Sequence, residues 1–237
     1  MIAGLQKMTL LDFPGKVACT VFLQGCNFRC PFCHNSDLLP YEGEEFMTKE
    51  ALLKFLQGRR GLLDGVAITG GEPTCQAGLP ELLREIKALG YGVKLDTNGM
   101  NPEMLEALVQ EGLVDYVAMD VKNSPDRYAE TVGLPRLNLE KLEKSLRFLI
   151  SGSVDYELRT TLVEQFHTRE DIEEMGKWIS SLVPGKKPKQ LFLQSFVDRD
   201  SVTFSGLCPP AAEEIVAFRE ILTPYVETVY LRGTEIQ

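Results

Sequence analysis

The chain has 237 residues, a formal net charge of −9 and a composition that is 44% hydrophobic and 25% charged. That mix suits a soluble α/β domain, expected over residues 1–237 as one unit and able to bury a core without disulfides. It excludes a membrane-spanning segment, since no stretch nears ~20 consecutive apolar residues, and it opposes general nucleic-acid binding, which needs a basic face.

The start, Met1-Ile2-Ala3-Gly4-Leu5-Gln6-Lys7, lacks the basic beginning and long apolar run of a signal peptide. The protein is therefore expected to be cytoplasmic. Clustered cysteines there more often bind metal or do chemistry than form bridges.

In chain order, apolar runs rich in Val, Ile and Leu fall at residues 17–23, 65–69, 92–96, 115–121, 156–163, 190–196 and 228–231. They are continuous rather than alternating, as strands covered on both faces are. Helical patterns separate them. Asn101-Pro102 and Ser124-Pro125 place a capping side chain before a proline at the first helical position. Thr168 with Asp171 forms a loose capping box, and Pro209-Pro210 opens a helix over 211–222. Residues 79–89 and 139–150 carry apolar side chains at helical spacing. Strand and helix alternate about six times, which predicts a partial (β/α)6 TIM-like barrel, with a flat doubly wound sheet as the alternative.

Residues with chemical potential gather at one predicted end of the strands. Cys26, Cys30 and Cys33 follow the first apolar run, and Thr69-Gly70-Gly71-Glu72-Pro73 follows the second. Asp96-Thr97-Asn98-Gly99 ends the third, Asp120-Val121-Lys122 the fourth, Arg159 lies within the fifth and Gln194 near the end of the sixth. Active sites of β/α proteins form at the carboxyl ends of strands.

The spacing Cys26-x3-Cys30-x2-Cys33 suits an iron–sulfur cluster with one iron left open, because full ligation takes four ligands. A zinc site completed by His34 is the alternative, although adjacent Cys33 and His34 would strain to reach one ion. Cys19 reads as a small core hydrophobe, Cys75 as a neighbour of the glycine-rich turn, and His167 as a surface histidine. Gly70 and Gly71 would let backbone approach a ligand, and Glu72 would pair with an ammonium group. Arg159 inside an apolar strand needs an acid or anion partner.

These motifs, with Phe32 before the last cysteine, resemble the radical S-adenosylmethionine (SAM) superfamily over about residues 12–231. The resemblance implies that Cys26, Cys30 and Cys33 hold one 4Fe-4S cluster whose open iron takes S-adenosyl-L-methionine. It puts Gly70, Gly71, Glu72 and Pro73 at the methionine ammonium and Phe32 near the adenine. It puts Asp96, Thr97, Asp120, Lys122 and Arg159 at the ribose, the carboxylate and, in some members, a monovalent cation. Residues 5–35, Leu95-Asp96-Thr97-Asn98-Gly99 and the Asp120–Lys122 pair are similar to glycyl-radical-enzyme activases, above all those of the anaerobic ribonucleoside-triphosphate reductase. That family acts on a backbone glycine of a partner enzyme, with flavodoxin or ferredoxin as electron donor. One departure stands out: many activases carry Asp-Gly-Pro-Gly-x-Arg here, whereas this chain has Asp12-Phe13-Pro14-Gly15-Lys16-Val17, without the arginine. A radical enzyme for a small molecule, such as a deazapurine-type rearrangement, and a zinc-containing interaction protein are the competing readings.

Overall fold

The computed structural model describes residues 1–233. Eight strands and seven α-helices follow in the order β1 (Ile2–Thr9), β2 (Ala18–Leu23), α1 (Lys49–Gln57), β3 (Gly65–Gly70), α2 (Leu79–Ala88), β4 (Gly92–Thr97), α3 (Pro102–Gln110), β5 (Tyr116–Asp120), α4 (Pro125–Thr131), α5 (Leu139–Ile150), β6 (Asp155–Leu162), α6 (Arg169–Ser181), β7 (Gln190–Ser195), α7 (Ala212–Leu222) and β8 (Thr228–Arg232). One sheet takes the strands in sequence order, with β1 and β8 as its two ends. A doubly wound sheet would reverse its order part-way, so that alternative fails. The six units from β2 to α7 are those the apolar runs predict. β1, antiparallel to β2, is an addition the runs do not reveal. Its residues 5–8 are mostly exposed, so no continuous apolar signal marks it.

Two compact groups of residues make up the chain: Met1–Asn27 with Asp37–Ala118, and Phe28–Ser36 with Met119 onward. In the first, β2, β3 and β4 are parallel and in register. Val66 and Ile68, alternating with Gly65, Ala67 and Thr69, make one face of β3 bulky and the other small. The bulky side joins a core with Val93, Leu95, Leu83 and Ile86, all buried. In the second group β6, β7 and β8 are parallel, and α6 packs on α7. Gly176 of α6 lets Tyr225 and Leu222 approach, for a Cβ there would meet the Tyr225 ring at 2.5 Å.

Two of the expected caps are formed, whereas Ser124 ahead of α4 makes no capping bond and its hydroxyl donates to Asp171 Oδ1 instead (3.4 Å). Asn101 accepts from the Met104 amide, and Thr168 and Asp171 form the reciprocal capping box. Pro209 and Pro210 lie ahead of α7, which begins at Ala212. Among the described residues no helix is long and apolar enough to cross a membrane.

Candidate active site

In the first group the turn after β3 is shaped by the backbone leading into Cys26. Gly71 N donates to Leu23 O (2.9 Å) and Glu72 N to Gly25 O (2.8 Å). A Cβ on Gly70, whose φ is +122°, would strike the Leu23 backbone, and one on Gly71 would strike Gly25 O. The two glycines thus admit the chain's own strand end, a use that the motif alone does not disclose.

Glu72 turns inward. Its Oε1 accepts from Thr74 N (3.0 Å), Thr74 Oγ1 (2.5 Å) and Thr97 Oγ1 (2.7 Å), and its Oε2 from Asn98 N (2.6 Å). Burial pushes its carboxyl pKa up while these four donors pull the other way. Asn98 Nδ2 donates to Asn27 Oδ1 at 2.7 Å, beside Cys26. Glu72 therefore joins the β3 turn to the end of β4, and Asn98 joins that end to the start of the cysteine loop. Asp96 is on β4 with Lys94, a buried lysine whose Nζ lies 2.5 Å from Asp96 Oδ1. Thr74, Asn27 and Lys94 are not singled out in the sequence, and the fold is what brings Thr74 and Asn27 to Glu72 and Asn98.

In the second group Cys33 N donates to Cys30 O (3.1 Å), so the two cysteines belong to one turn. Burial pushes the Cys30 thiol up to about 11, and the Lys122 ammonium pulls it back. Cys33 is raised by burial too, with the Asn35 amide and Lys122 opposing. Asp120 accepts from Lys122 Nζ (2.9 Å) and Arg159 Nε (3.0 Å). Burial works against its charge, yet Arg159 and Lys122 outweigh it and hold the carboxyl at about 2. Arg159 thus has the acid partner that its apolar strand demands. Phe32 is buried, its ring 5.7 Å from Phe166 with the Lys122 ammonium 6.0 Å from its centroid.

His167 corrects the surface reading: it is 4% exposed. Its Nδ1 takes the Val163 amide (3.1 Å), so Nε2 carries the proton and donates it to Lys122 O (2.8 Å). A bridge of this kind needs β5 and β6 side by side, which no local pattern shows. Asn123 Nδ2 donates to Phe166 O (2.7 Å) from the same side. Residues 163–168 therefore brace both Lys122 and, through Phe166, the ring next to Cys33.

His34 points elsewhere. Its Nε2 lies 2.7 Å from Val197 O and its ring stacks on Phe196. Among the described residues no group of three or more His, Cys, Asp or Glu side chains stands close enough to hold one metal ion. The placement of His34 opposes a single zinc completed by that residue. In a four-iron cluster each thiolate binds a different iron, so three sulfurs need not converge on one point. All six cysteines are unbridged, and Lys122 favours the thiolate form at two of the three. This donor set fits the cluster. Of the remaining cysteines, Cys19 is buried, with its thiol raised to about 12 by burial; Cys75 is half-buried near Tyr41 and Glu72; Cys208 is exposed. In this segment, where Val17 takes the place of the arginine, Lys16 Nζ lies 5.4 Å over the Phe13 ring, and Phe13 packs beside Tyr116 and Gly65.

The family model of the radical SAM superfamily matches residues 20–179. The chain belongs to the radical SAM superfamily. That family implies a 4Fe-4S cluster and S-adenosylmethionine for this radical SAM enzyme. It is 33% identical over 98% of its length to a protein of Methanocaldococcus jannaschii named for glycyl-radical enzyme activation, 95% of which is covered. Against the pyruvate formate-lyase-activating enzyme of Clostridium pasteurianum it is 34% identical, over 53% of each chain. A crystal structure of a domain of pyruvate-formate lyase-activating enzyme from Bacteroides vulgatus shares the fold, with a TM-score of 0.57 at 20% identity, over 71% of this chain and 99% of that one.

Proposed function

We propose that this radical SAM enzyme is an activase that takes a hydrogen atom from a backbone glycine of a partner glycyl radical enzyme. The anaerobic ribonucleoside-triphosphate reductase is the first partner to test. The reading is carried by the near end-to-end likeness to the archaeal relative named for that activation.

Cys26, Cys30 and Cys33 would hold the cluster. When bound, the cluster would supply one electron for the cleavage of S-adenosylmethionine, which with the hydrogen atom of the glycine would give methionine, 5′-deoxyadenosine and a glycyl radical on the partner. Lys122 would favour thiolates at Cys30 and Cys33 and, with Arg159, offer positive charge to the methionine carboxylate. Gly70, Gly71, Glu72 and Pro73 would present backbone to the methionine ammonium, with the Glu72 carboxylate holding that backbone in place. Asp96, Thr97 and Asp120 would meet the ribose, and Phe32 would close the loop beside the adenine. Orientation by fixed groups makes the electron transfer first-order within the complex. Flavodoxin or ferredoxin would supply the electron.

Anaerobic reconstitution with iron, sulfide, dithionite and S-adenosylmethionine should yield 5′-deoxyadenosine, and adding the partner should yield a glycyl radical by electron paramagnetic resonance. Absence of 5′-deoxyadenosine would defeat the radical reading. Its formation without a radical on any partner would move the assignment to a small-molecule substrate.

A further inference from the structure

Asp96 already has a counter-ion of its own. Lys94 precedes it by two residues on β4, so both side chains leave the same face of the strand. The Lys94 side chain is 3% exposed and that of Asp96 16%, with 2.5 Å between Nζ and Oδ1. The sequence makes room for this lysine. Lys94 pairs in register with Ala67, and the preceding pair on that face is Gly65 with Gly92. A long stem fits beside such small neighbours, whereas bulky ones would exclude it. A buried ammonium persists only when paired, because leaving either partner alone exposes an uncompensated charge to a low-dielectric interior.

We propose that Lys94 is the resident counter-ion of Asp96, and that this enzyme binds S-adenosylmethionine without an alkali-metal ion. The proposal rests on the S-adenosylmethionine reading of the site. The monovalent cation implied for some family members does not fit beside Asp96. The carboxylate is balanced from within the fold, and a second cation would meet the like charge of Lys94 at short range. The ammonium cannot exchange with solution ions, and it donates a hydrogen bond to Oδ1 that fixes the carboxylate's direction. Lys94 is thus a positioning residue: it holds the Asp96 carboxylate in one direction.

The test uses reconstituted holoenzyme in choline, sodium or potassium chloride at equal ionic strength. S-adenosylmethionine affinity is measured by anaerobic equilibrium dialysis, and the melting temperature is measured without S-adenosylmethionine. For the unaltered enzyme both should be the same in all three salts. Lys94→Met should weaken binding about tenfold or more in choline, with recovery on adding sodium or potassium, and its melting temperature should become alkali-dependent. Lys94→Arg, which keeps the charge, should remain independent of alkali ions. Alkali dependence of the unaltered enzyme would overturn the proposal, as would Lys94→Met binding normally in choline. Absence of S-adenosylmethionine binding in every salt would instead defeat the reading beneath it, and the melting measurements would then decide the role of Lys94 alone.

Discussion

Glu72 and His167 show how a single side chain can matter by what it holds. Glu72 gathers four donors, two of them backbone amides. Glu72→Gln would turn an amino group toward groups that also donate, leaving buried donors unmet. The expected loss is about 1–3 kcal/mol in urea unfolding, together with weaker S-adenosylmethionine binding. Burial lowers the pKa of His167 below its usual 6.5, against the hydrogen bonds to the Lys122 and Val163 backbone and the Asp171 charge, which raise it, while the Lys122 ammonium lowers it. The unfolded chain takes the proton first, so the stabilising contribution is complete above about pH 6.5 and falls as pH drops through that value. His167→Gln should flatten that part of the urea-midpoint profile. At the cysteine loop, His34→Ala should leave bound iron largely intact, while Cys30→Ala should abolish it. Equal loss of iron in both, measured per chain, would return the loop to a zinc-like site.

The loops after the strands have a second class of dependence, on glycines remote from the cysteines. Gly133, just past α4, has a φ of +70°, and a Cβ there would strike Arg29 O, within the cysteine loop. The Arg29 amide also donates to Val132 O at 2.9 Å. Gly133→Ala should cost about 1–2 kcal/mol from its left-handed backbone alone. It should also lower iron and sulfide content per chain by displacing residues 28–30, whereas Gly152→Ala, also at positive φ but in open space, should keep the metal. Six strand–helix units and most helix starts were legible because continuous Val/Ile/Leu runs, the Asn101 cap and prolines at the first helical position are local signals. β1 was not, because an edge strand with an exposed middle shares its pattern with a loop.

The protein as a body is expected to fold without its metal, because most of its buried core is Val, Ile and Leu. Its core of Val, Ile and Leu side chains and its strand ladders are complete among the described residues. This differs from small zinc domains, whose binding energy is their folding energy. Stripping iron with a chelator should therefore abolish 5′-deoxyadenosine formation while far-UV circular dichroism and cooperative unfolding persist. Loss of helix signal on chelation would show that the cluster is part of the framework.

Spacing along the chain was enough to single out three cysteines within eight residues and the glycine-rich turn, and the resemblance that these motifs carry led to the superfamily. It also located Asp120, Lys122 and Arg159, because charge in an apolar strand is conspicuous. It was silent on which of these face a ligand and which brace the others. The inward turn of Glu72 and the buried bridge of His167 depend on neighbouring strand ends, whose separation in sequence leaves no periodic trace, and the Lys94–Asp96 pair, though local on β4, needs the small residues of β3 beside it. Hydrogen bonds and burial are set by distances across strands, and those exist only after the sheet has formed.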